Sequence, residues 1–302
     1  MDLSGKVAVV TGSGRGLGRA YATELAAQGA AVIVNDVDSS VADQAAQDIV
    51  AAGGKAVAEV AAVGTTSSAQ GLVNRAVEEF GRLDILVNNA GILRDTTLLK
   101  MTDDDFDAVI TTHLRGTFTC TRAAAIQMRQ QGDGGRIICV GSPTGQVGNF
   151  GQTNYAAAKA GIVGMVRTWA IELARAQITV NAIIPIAATR MTETAPFLKP
   201  YFDALNAGQP LPPFARQQLG FGAPSDAAGV VAFLASDAAA SITGQAIGIG
   251  GDRLTLWTHP TEVCVALANG TGWTADEIAE IWPKQFADIQ QPVGQQLPEP
   301  TK

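Results

Sequence analysis

Tyr155 and Lys159, at the two ends of the run YAAAK, are the side chains best suited to proton transfer. Residues four apart lie on one face of a helix, so the phenol and the ammonium can converge on one site. An unperturbed tyrosine titrates near about 10 and is a poor base at neutral pH. A neighbouring ammonium favours the phenolate, so we expect Lys159 to lower the pKa of Tyr155. The pair favours proton exchange with an alcohol or a ketone, although a tyrosine and a lysine on one helix are more often surface residues.

Ser142 is a third candidate for this chemistry. It follows the apolar run Ile137–Val140 (IICV), which predicts a strand covered on both faces. A residue just past a parallel strand stands at the carboxyl edge of the sheet, where ligands bind in open α/β folds. We therefore expect Ser142, Tyr155 and Lys159 to meet at one site.

A glycine-rich loop connects the first apolar run to a helical segment and reads TGSGRGLG. Glycines let the backbone turn tightly and approach a pyrophosphate, which then lies at the positive N-terminal end of the helix. The alternative is a plain tight turn. We assign to cofactor binding the loop residues Gly12, Ser13, Gly14, Arg15, Gly16, Leu17 and Gly18.

Asp36 ends the second apolar run, at roughly the ~20-residue distance from the loop expected of an acid that binds the adenosine ribose. A carboxylate accepts hydrogen bonds from the ribose hydroxyls and repels a 2′-phosphate. The expected cofactor is therefore NAD, with NADP the lesser alternative. Arg15 is the one feature of the loop that favours a phosphate.

These residues are held by short apolar runs that alternate with longer, alanine-rich segments. Strands followed by helices in this rhythm predict an α/β fold with a doubly wound parallel sheet of Rossmann type. The predicted strands are Val7–Val10, Ala31–Asn35, Asp84–Val87, Ile137–Val140, Ile178–Ile184 and Ala246–Ile249. The predicted helices are Gly18–Gln28, Val41–Ala52, Ala69–Phe80, Phe106–Gln130, Thr153–Ala176 and Asp226–Leu234.

Two stretches interrupt the rhythm. Thr189–Gly222, rich in proline and aromatic residues, is typical of a lid or substrate loop. Residues 252–302 form an extension beyond the catalytic domain, 1–251. In the extension, Thr274 and Glu277 predict a capping box and a helix that Pro283 stops. We expect the last residues, from Gln290 onward, to be disordered.

Composition limits the functions open to the chain. Its 302 residues are 47% hydrophobic, enough for one sizeable core. With a net charge of −7 and no run of lysine or arginine, nucleic acid is not an expected partner. Three separated cysteines lack metal-ligand spacing, so we expect buried thiols and no metal. No signal peptide or apolar membrane span is evident, which favours a soluble, cytoplasmic protein.

The motifs TGSGRGLG, NNAG at Asn88–Gly91, Ser142 and YAAAK together resemble the short-chain dehydrogenase/reductase family over about Leu3 to Gly251. The resemblance implies a nicotinamide cofactor and a Ser142 that polarises the substrate oxygen. It also implies Tyr155 as the acid or base and a Lys159 that holds the nicotinamide ribose and lowers the pKa of Tyr155. The cofactor site would be lined by Asn89, Ala90 and Gly91, with Asn88 beside them and Ala90 near the adenosine ribose.

A narrower resemblance rests on NNAGILRD, HLRGTF, GNFGQTNYAAAKAG and TRMT. These runs are similar to the dehydrogenase domain of peroxisomal multifunctional β-oxidation enzymes and their bacterial relatives. The similarity implies oxidation of a 3-hydroxyacyl-CoA or a 17β-hydroxysteroid, with an acyl-carrier-protein reductase or a non-catalytic NAD-binding protein as alternatives. Conceivable contacts for an acyl-CoA phosphate are Arg94, Arg115 and Lys199, each more often a solvated residue.

The resemblance also implies a homodimer or homotetramer, formed by pairing of the helix that carries Tyr155 and Lys159. Trp169 and Ile171 are candidates for an apolar face on that helix, although core packing explains them equally well.

Three positions depart from the family pattern. His113 replaces an asparagine that supports a water relay to the lysine; it either serves the relay through a ring nitrogen or is a core histidine. Ile186 follows Pro185 where glycine is usual, near the expected nicotinamide site. Ala62 stands where the family often has an aspartate beside the adenine, and its side chain cannot accept a hydrogen bond from the adenine amino group. Only the backbone N–H of Val63 remains for the adenine, which predicts weaker cofactor binding. Thr189 is the first candidate for the carboxamide contact, and Thr192 the second.

Overall fold

The centre of the computed structural model is a sheet of short, largely apolar strands; the structure describes residues 1–193, 196–268, 270, 272–294 and 298. The strands are β1 Val7–Val10, β2 Ala31–Asp36, β3 Lys55–Val60, β4 Ile85–Asn88, β5 Gly135–Val140, β6 Ile178–Pro185, β7 Ala246–Gly250 and β8 Arg253–Trp257. Their order across the sheet is β3-β2-β1-β4-β5-β6-β7-β8. Neighbours from β3 to β7 pair in parallel and β8 pairs antiparallel to β7, so the predicted Rossmann-type sheet is confirmed.

The two outermost strands were not predicted. β3 carries charged residues and is only half-buried, so it lacks the continuous apolar run of a central strand. In β8 the leucines 254 and 256 are 68% and 66% exposed, whereas Thr255 and Trp257 face inward. Both strands form because each pairs with a neighbouring strand of the sheet, and not because of a continuous apolar run of their own.

Helices cover both faces of the sheet. They are α1 Gly16–Ala27, α2 Ser39–Ala51, α3 Thr66–Phe80, α4 Asp103–Ile110, α5 Gly116–Gln131, α6 Thr144–Val147, α7 Thr153–Glu172, α8 Lys199–Asn206, α9 Gly229–Ala235 and α10 Ala275–Gln285. One apolar core lies between the sheet and α1, α2 and α9, and a second between the sheet and α3, α5 and α7. On α7, Ile171 is 79% exposed, but Trp169 packs against the second core, so the expected apolar face holds only for Ile171.

The segment Phe106–Gln130, predicted as one helix, is helical throughout but is not a single α-helix. A π-helical turn, Thr111–Arg115, divides α4 from α5 and buries His113. A π turn holds one residue more per turn than an α-helix and shifts the register of the side chains that follow. Apolar periodicity does not reveal such a turn, because both flanking segments keep their own helical pattern.

The lid and the extension each hold more structure than expected. Within Thr189–Gly222, α8 and a π-helical turn pack around a small cluster that includes Phe202 and Phe221. In the extension, the capping box of Thr274 and Glu277 is present, but Pro283 lies inside α10 and does not stop it. Proline removes a single backbone N–H, and here the helix continues to Gln285. Most residues from 295 onward, on which disorder was expected, lie outside the described residues.

Within the described ranges, none of the helices has the length and apolar character needed to cross a bilayer.

Candidate active site

The strand order reverses between β1 and β4, and a large cavity opens at the carboxyl ends of the strands there. Such a switch point is where open α/β sheets bind ligands, because the connections leave to opposite faces. The cavity measures about 960 Å³. It brings together the glycine loop, Asp36, Ser142, Tyr155 and Lys159, as the sequence predicts.

Close packing of backbone shapes the glycine loop. Gly12 has φ +61°, and a Cβ there would lie 2.7 Å from the Cα of Ala90. The side-chain amide of Asn89 donates to the carbonyls of Thr11 and Gly12, at 3.0 and 2.9 Å. The NNAG segment therefore holds the loop in place, and Ala90 and Gly91 also line the cavity. Of the predicted loop residues, those that line it are Gly12, Arg15, Gly16, Leu17 and Gly18.

Three predicted residues face away from the cavity. The Ser13 hydroxyl donates to the Val10 carbonyl at 2.6 Å, and the side chain is fully buried. The N–H of Gly14 donates to Asp36, so Gly14 supports that carboxylate and does not line the site. Asn88 points into the core, where its amide donates to Thr121. These residues build the site from behind because their hydrogen bonds are used within the protein.

Asp36 is held in place at the end of β2. One carboxylate oxygen accepts the N–H of Gly14 at 3.1 Å, and the other accepts those of Val37 and Asp38 at 2.9 and 3.3 Å. Backbone donors fix the carboxylate without neutralising its charge. Asp36 lines the cavity, so its remaining lone pairs face the space where an adenosine ribose would fit.

Arg15 is engaged by a residue that the sequence analysis missed. Its guanidinium lies 2.9 Å from the carboxylate of Asp38, which is also the N-cap of α2. Hydrogen bonds from Ser40, with Arg15 contributing, lower the pKa of Asp38. Arg15 therefore points toward Asp38 and pairs with it, although its position in the loop would also allow it to bind a phosphate. Only the position of Asp38, two residues after Asp36, hinted at this pairing.

The remaining residues predicted to contact the cofactor also line the cavity. Ala62 and Val63 line the end beside Asp36, and Pro185, Ile186 and Thr189 line the other end. The Thr192 hydroxyl donates to the Ala187 carbonyl at 2.7 Å and accepts the N–H of Thr189. Thr192 thus shapes the loop, which leaves Thr189 as the better candidate for the carboxamide contact.

The catalytic candidates come from two parts of the fold, the segment between β5 and α6 and the helix α7. Ser142 follows β5 and accepts the N–H of Thr144 at the start of α6. Tyr155 and Lys159 lie one turn apart on α7, and the Lys159 ammonium lies 5.5 Å from the centre of the phenol ring. Lys159 donates to the carbonyl of Val140, the last residue of β5, at 2.6 Å. That bond ties α7 to the strand that presents Ser142.

The electrostatics of the pair differ from the expectation. Burial raises the pKa of Tyr155 to about 12, although hydrogen bonding by Ser142 lowers it, and Asp95 raises it further. Burial also lowers the pKa of Lys159 to about 7, so its charge is not fully present at neutral pH. The predicted lowering of the Tyr155 pKa by Lys159 is therefore wrong for this structure. Desolvation outweighs charge attraction because Lys159 is buried and Tyr155 is partly buried in the wall of the cavity.

His113 contacts the candidate residue Tyr155. Its ring meets that of Tyr155 edge to face, with centroids 5.1 Å apart. Its Nε2 faces the carbonyl and the N–H of Ile92 at 2.8 and 3.0 Å, and the tautomer decides which bond forms. Nδ1 is buried and has no hydrogen-bond partner among the described residues. Burial, and then the charge of Lys159, lower the pKa of His113 to about 3, so the ring is neutral.

Two residues that were not predicted, Asn154 and Gln152, form hydrogen bonds close to Tyr155. Asn154 is fully buried, and its amide donates to the carbonyls of Arg94 and Asp105, each at 3.1 Å. Its side-chain oxygen accepts the N–H of Tyr155 at 2.8 Å. Gln152 donates to Asp95, which lines the cavity. Their proximity to Tyr155 in sequence was the only available signal.

None of the three basic residues proposed for an acyl-CoA phosphate lines the cavity. Lys199 pairs with Asp203 at 3.0 Å, and the guanidinium of Arg94 donates to the carbonyl of Leu93. Arg190, in contrast, is exposed and lines the cavity on the lid side. Within the described ranges, no group of histidine, cysteine, aspartate and glutamate side chains is arranged to hold a metal ion.

A family model described as short chain dehydrogenase matches residues 6–196. A 3-oxoacyl-[acyl-carrier-protein] reductase of Synechocystis sp. is 45% identical over 254 residues, covering 82% of this chain and 97% of the reductase. The hydroxyacyl-CoA dehydrogenase ChsB1 of Mycobacterium tuberculosis is 41% identical over 298 residues, covering 95% of this chain and 90% of that enzyme.

A peroxisomal multifunctional enzyme type 2 of Drosophila melanogaster is 49% identical over 198 residues, but the match spans only 32% of that longer protein. Among solved structures, a short chain dehydrogenase from Mycobacterium avium superposes with a TM-score of 0.83 at 36% identity. That match covers 97% of this chain and 98% of the other.

Proposed function

This chain belongs to the short-chain dehydrogenase family, and we propose that it is an NAD-dependent dehydrogenase that oxidises a secondary alcohol to a ketone. As substrates we propose 3-hydroxyacyl-CoA thioesters, with hydroxysteroids as the alternative. The observation that carries the proposal is the convergence of Ser142, Tyr155 and Lys159 on one cavity with the glycine loop. Family membership makes the chain an oxidoreductase of hydroxyl or keto groups; the cofactor and substrate class are our inference.

The residues of the cavity fit a dinucleotide. The N-terminus of α1, opened by Gly16, suits a pyrophosphate, and the held carboxylate of Asp36 suits a ribose. Lys159 and Thr189 are placed for the nicotinamide ribose and the carboxamide. Bound NAD would supply the hydride acceptor for the carbinol carbon. Asp36 and the engaged Arg15 both support NAD over NADP.

Proton transfer falls to Tyr155. The Ser142 hydroxyl donates to the substrate oxygen, and Tyr155 accepts the alcohol proton as phenolate or returns it as phenol. Because burial raises the pKa of Tyr155, the phenol form dominates at neutral pH. Alcohol oxidation needs the phenolate and therefore accelerates as pH rises, whereas ketone reduction slows. His113, neutral and packed against the phenol, is a candidate for positioning Tyr155 or relaying protons.

The extension supports the choice of substrate class. The match to the acyl-carrier-protein reductase covers 97% of the reductase but only 82% of this chain. The hydroxyacyl-CoA dehydrogenase matches 95% and so includes most of the extension. The reductase activity is kept as the second candidate because the reductase is 45% identical to this chain, somewhat more than the hydroxyacyl-CoA dehydrogenase at 41%.

We further propose a homodimer or homotetramer, located in the cytoplasm. On the face covered by α5 and α7, Phe118, Ile126 and Ile171 are 40%, 51% and 79% exposed. Apolar side chains of this size favour contact with a second copy. The free, buried thiols of Cys120 and Cys139 suit a reducing compartment.

The first experiment follows the absorbance of reduced nicotinamide with a medium-chain 3-hydroxyacyl-CoA and with a 17β-hydroxysteroid, each with NAD and with NADP. We expect reduction of NAD with the thioester, at a rate that is higher near pH 9 than near pH 7. Turnover of an acyl-carrier-protein thioester with NADPH alone would favour the reductase instead.

The matched variant is Tyr155→Phe, which removes the hydroxyl and keeps the ring. Acid–base catalysis contributes about 10² to 10⁴ in rate, so kcat falls at least about 100-fold while NAD binding, measured by calorimetry, is retained. Substantial activity in this variant would contradict the assignment of Tyr155.

A further inference from the structure

A second cavity, of about 620 Å³, lies next to the active site and has no role in the chemistry described above. It lies at the carboxyl ends of β6 and β7, beside β8. Its walls are mostly apolar, and among the residues that line it are Ile184, Leu219, Ile249, Thr255, Trp257 and Pro292. We call it the Trp257 chamber. Its volume falls within the range of about 300–1,000 Å³ usual for ligand sites.

The chamber and the active-site cavity share three wall residues, Pro143, Ile186 and Leu219. Pro143 directly follows Ser142, and Ile186 directly follows Pro185. The shared wall therefore lies next to Ser142, which we propose to contact the reacting oxygen. The N–H of Ile186 donates to the Ile249 carbonyl at 2.9 Å, which fixes the isoleucine between the two spaces.

Residues after the catalytic domain complete the chamber. In β8, the inward side chains of Thr255 and Trp257 alternate with the exposed Leu254 and Leu256. Gly248, opposite them on β7, leaves room for Thr255, since a Cβ there would collide with its hydroxyl. Further along, the N–H of Gly294 donates to the carbonyl of Val147 at 2.7 Å, which holds the tail against α6.

A secondary alcohol has two substituents on its reacting carbon, and the structure offers one space for each. The lid side of the active-site cavity is lined by the exposed residues Arg190, Met191 and Phe197, so the cavity faces solvent on that side. On the other side, Ile186 is part of the wall that the active-site cavity shares with the apolar chamber. We propose that the Trp257 chamber binds the acyl chain of the substrate, with the thioester arm on the lid side.

This inference rests on the proposed function and narrows it to acyl substrates with medium or long chains. The test measures kcat/KM for a series of racemic 3-hydroxyacyl-CoA thioesters, from butanoyl to dodecanoyl. We expect kcat/KM to rise by up to about fourfold for each methylene buried, until the chamber is full.

Thr255→Phe fills the chamber, and Leu256→Phe places the same ring on the exposed face of β8 as the control. We expect Thr255→Phe to remove the rise with chain length and to lower kcat/KM for the decanoyl thioester at least tenfold. The loss for the butanoyl thioester should be much smaller, so the ratio of decanoyl to butanoyl kcat/KM falls relative to the unaltered chain. Identical chain-length profiles for both variants and the unaltered chain would overturn the proposal.

A second variant enlarges the space instead of filling it, and it keeps the proposal testable if Thr255→Phe does not fold. Ile186→Ala thins the shared wall, so the ratio of long-chain to short-chain kcat/KM rises; an unchanged ratio counts against the chamber. A parallel series of alkan-2-ols, from butan-2-ol to decan-2-ol, carries no thioester. A chain-length rise with these alcohols alone would retain the chamber and reject acyl-CoA as the substrate class.

Binding of cis-parinaric acid, followed by energy transfer from tryptophan, tests the chamber without turnover. Saturable binding that Thr255→Phe abolishes and Leu256→Phe retains supports an apolar-chain site, even if no alcohol is oxidised. Binding that is equal in both variants places the fatty chain elsewhere and overturns the inference.

Discussion

At the scale of single residues, two aspartates close together at the end of β2 act in different ways. Asp36 is fixed by backbone N–H groups and keeps its charge directed at the cavity. Asp38 instead holds Arg15 in an ion pair at 2.9 Å and caps α2. The preference for NAD that we propose therefore depends on two carboxylates: Asp36 would repel a 2′-phosphate, and Asp38 engages Arg15, the nearest cation.

Asp38→Asn separates these effects, because the amide oxygen can still cap α2 while the charge that holds Arg15 is lost. Arg15 and Asp38 are 39% and 44% exposed, so the pair is worth at most about 1 kcal/mol. We expect the ratio of the Kd for NADP to that for NAD to fall by roughly fivefold, measured by calorimetry. Adding Arg15→Gln should restore the original ratio. An unchanged ratio in Asp38→Asn would show that Arg15 has no access to the phosphate site.

At the scale of elements, the π-helical turn between α4 and α5 explains why His113 lies where it does. The turn buries the imidazole against Tyr155 and Ile92. Burial keeps the ring neutral, with a pKa of about 3. A residue that is neutral in the folded chain and protonated in the unfolded chain couples folding to pH.

The sign follows from proton binding. Below pH 6.5 the unfolded chain protonates His113 and the folded chain does not, so the free energy of unfolding falls as pH drops from 6.5 toward 3. His113→Asn removes this proton. Urea unfolding at several pH values should then give a free energy that falls less steeply, by at most about 1.4 kcal/mol per pH unit. Parallel curves for the two proteins would mean that His113 titrates in the folded chain much as in the unfolded one.

At the scale of the whole molecule, the exposed apolar side chains on α5 and α7 support assembly. Ile171 is 79% exposed near the end of the helix that carries Tyr155 and Lys159. A single copy of the chain has a mass of 31.1 kDa. Assembly through this face would brace the catalytic helix against its counterpart.

Ile171→Glu places a charge in the proposed contact, and light scattering after size exclusion measures the mass. We expect the unaltered chain at a multiple of 31.1 kDa and the variant at a smaller mass. Val50→Glu, on α2, is the control, since Val50 is also exposed, at 53%, but lies on the opposite face. Loss of assembly in the control, or retention in Ile171→Glu, would place the contact elsewhere.

The parallel core of the sheet, the glycine loop, and the grouping of Ser142, Tyr155 and Lys159 could all be predicted from the amino-acid sequence. These features are local: an apolar run predicts a buried strand, and residues four apart share a helix face. Once strands are parallel, their carboxyl ends meet at one edge, so motifs far apart in sequence are brought together.

Features that depend on neighbours distant in sequence could not be predicted and are evident only in the folded chain. The pKa of Tyr155 rises because protein encloses it, and no spacing of residues reveals that enclosure. Arg15 is engaged because α2 begins at Asp38, and β8 forms because β7 offers it an edge. The chamber at Trp257 exists because an extension of the chain folds back beside the active site. Burial, pairing and cavities are properties of the packed chain, and they set the charge and the shape of this site.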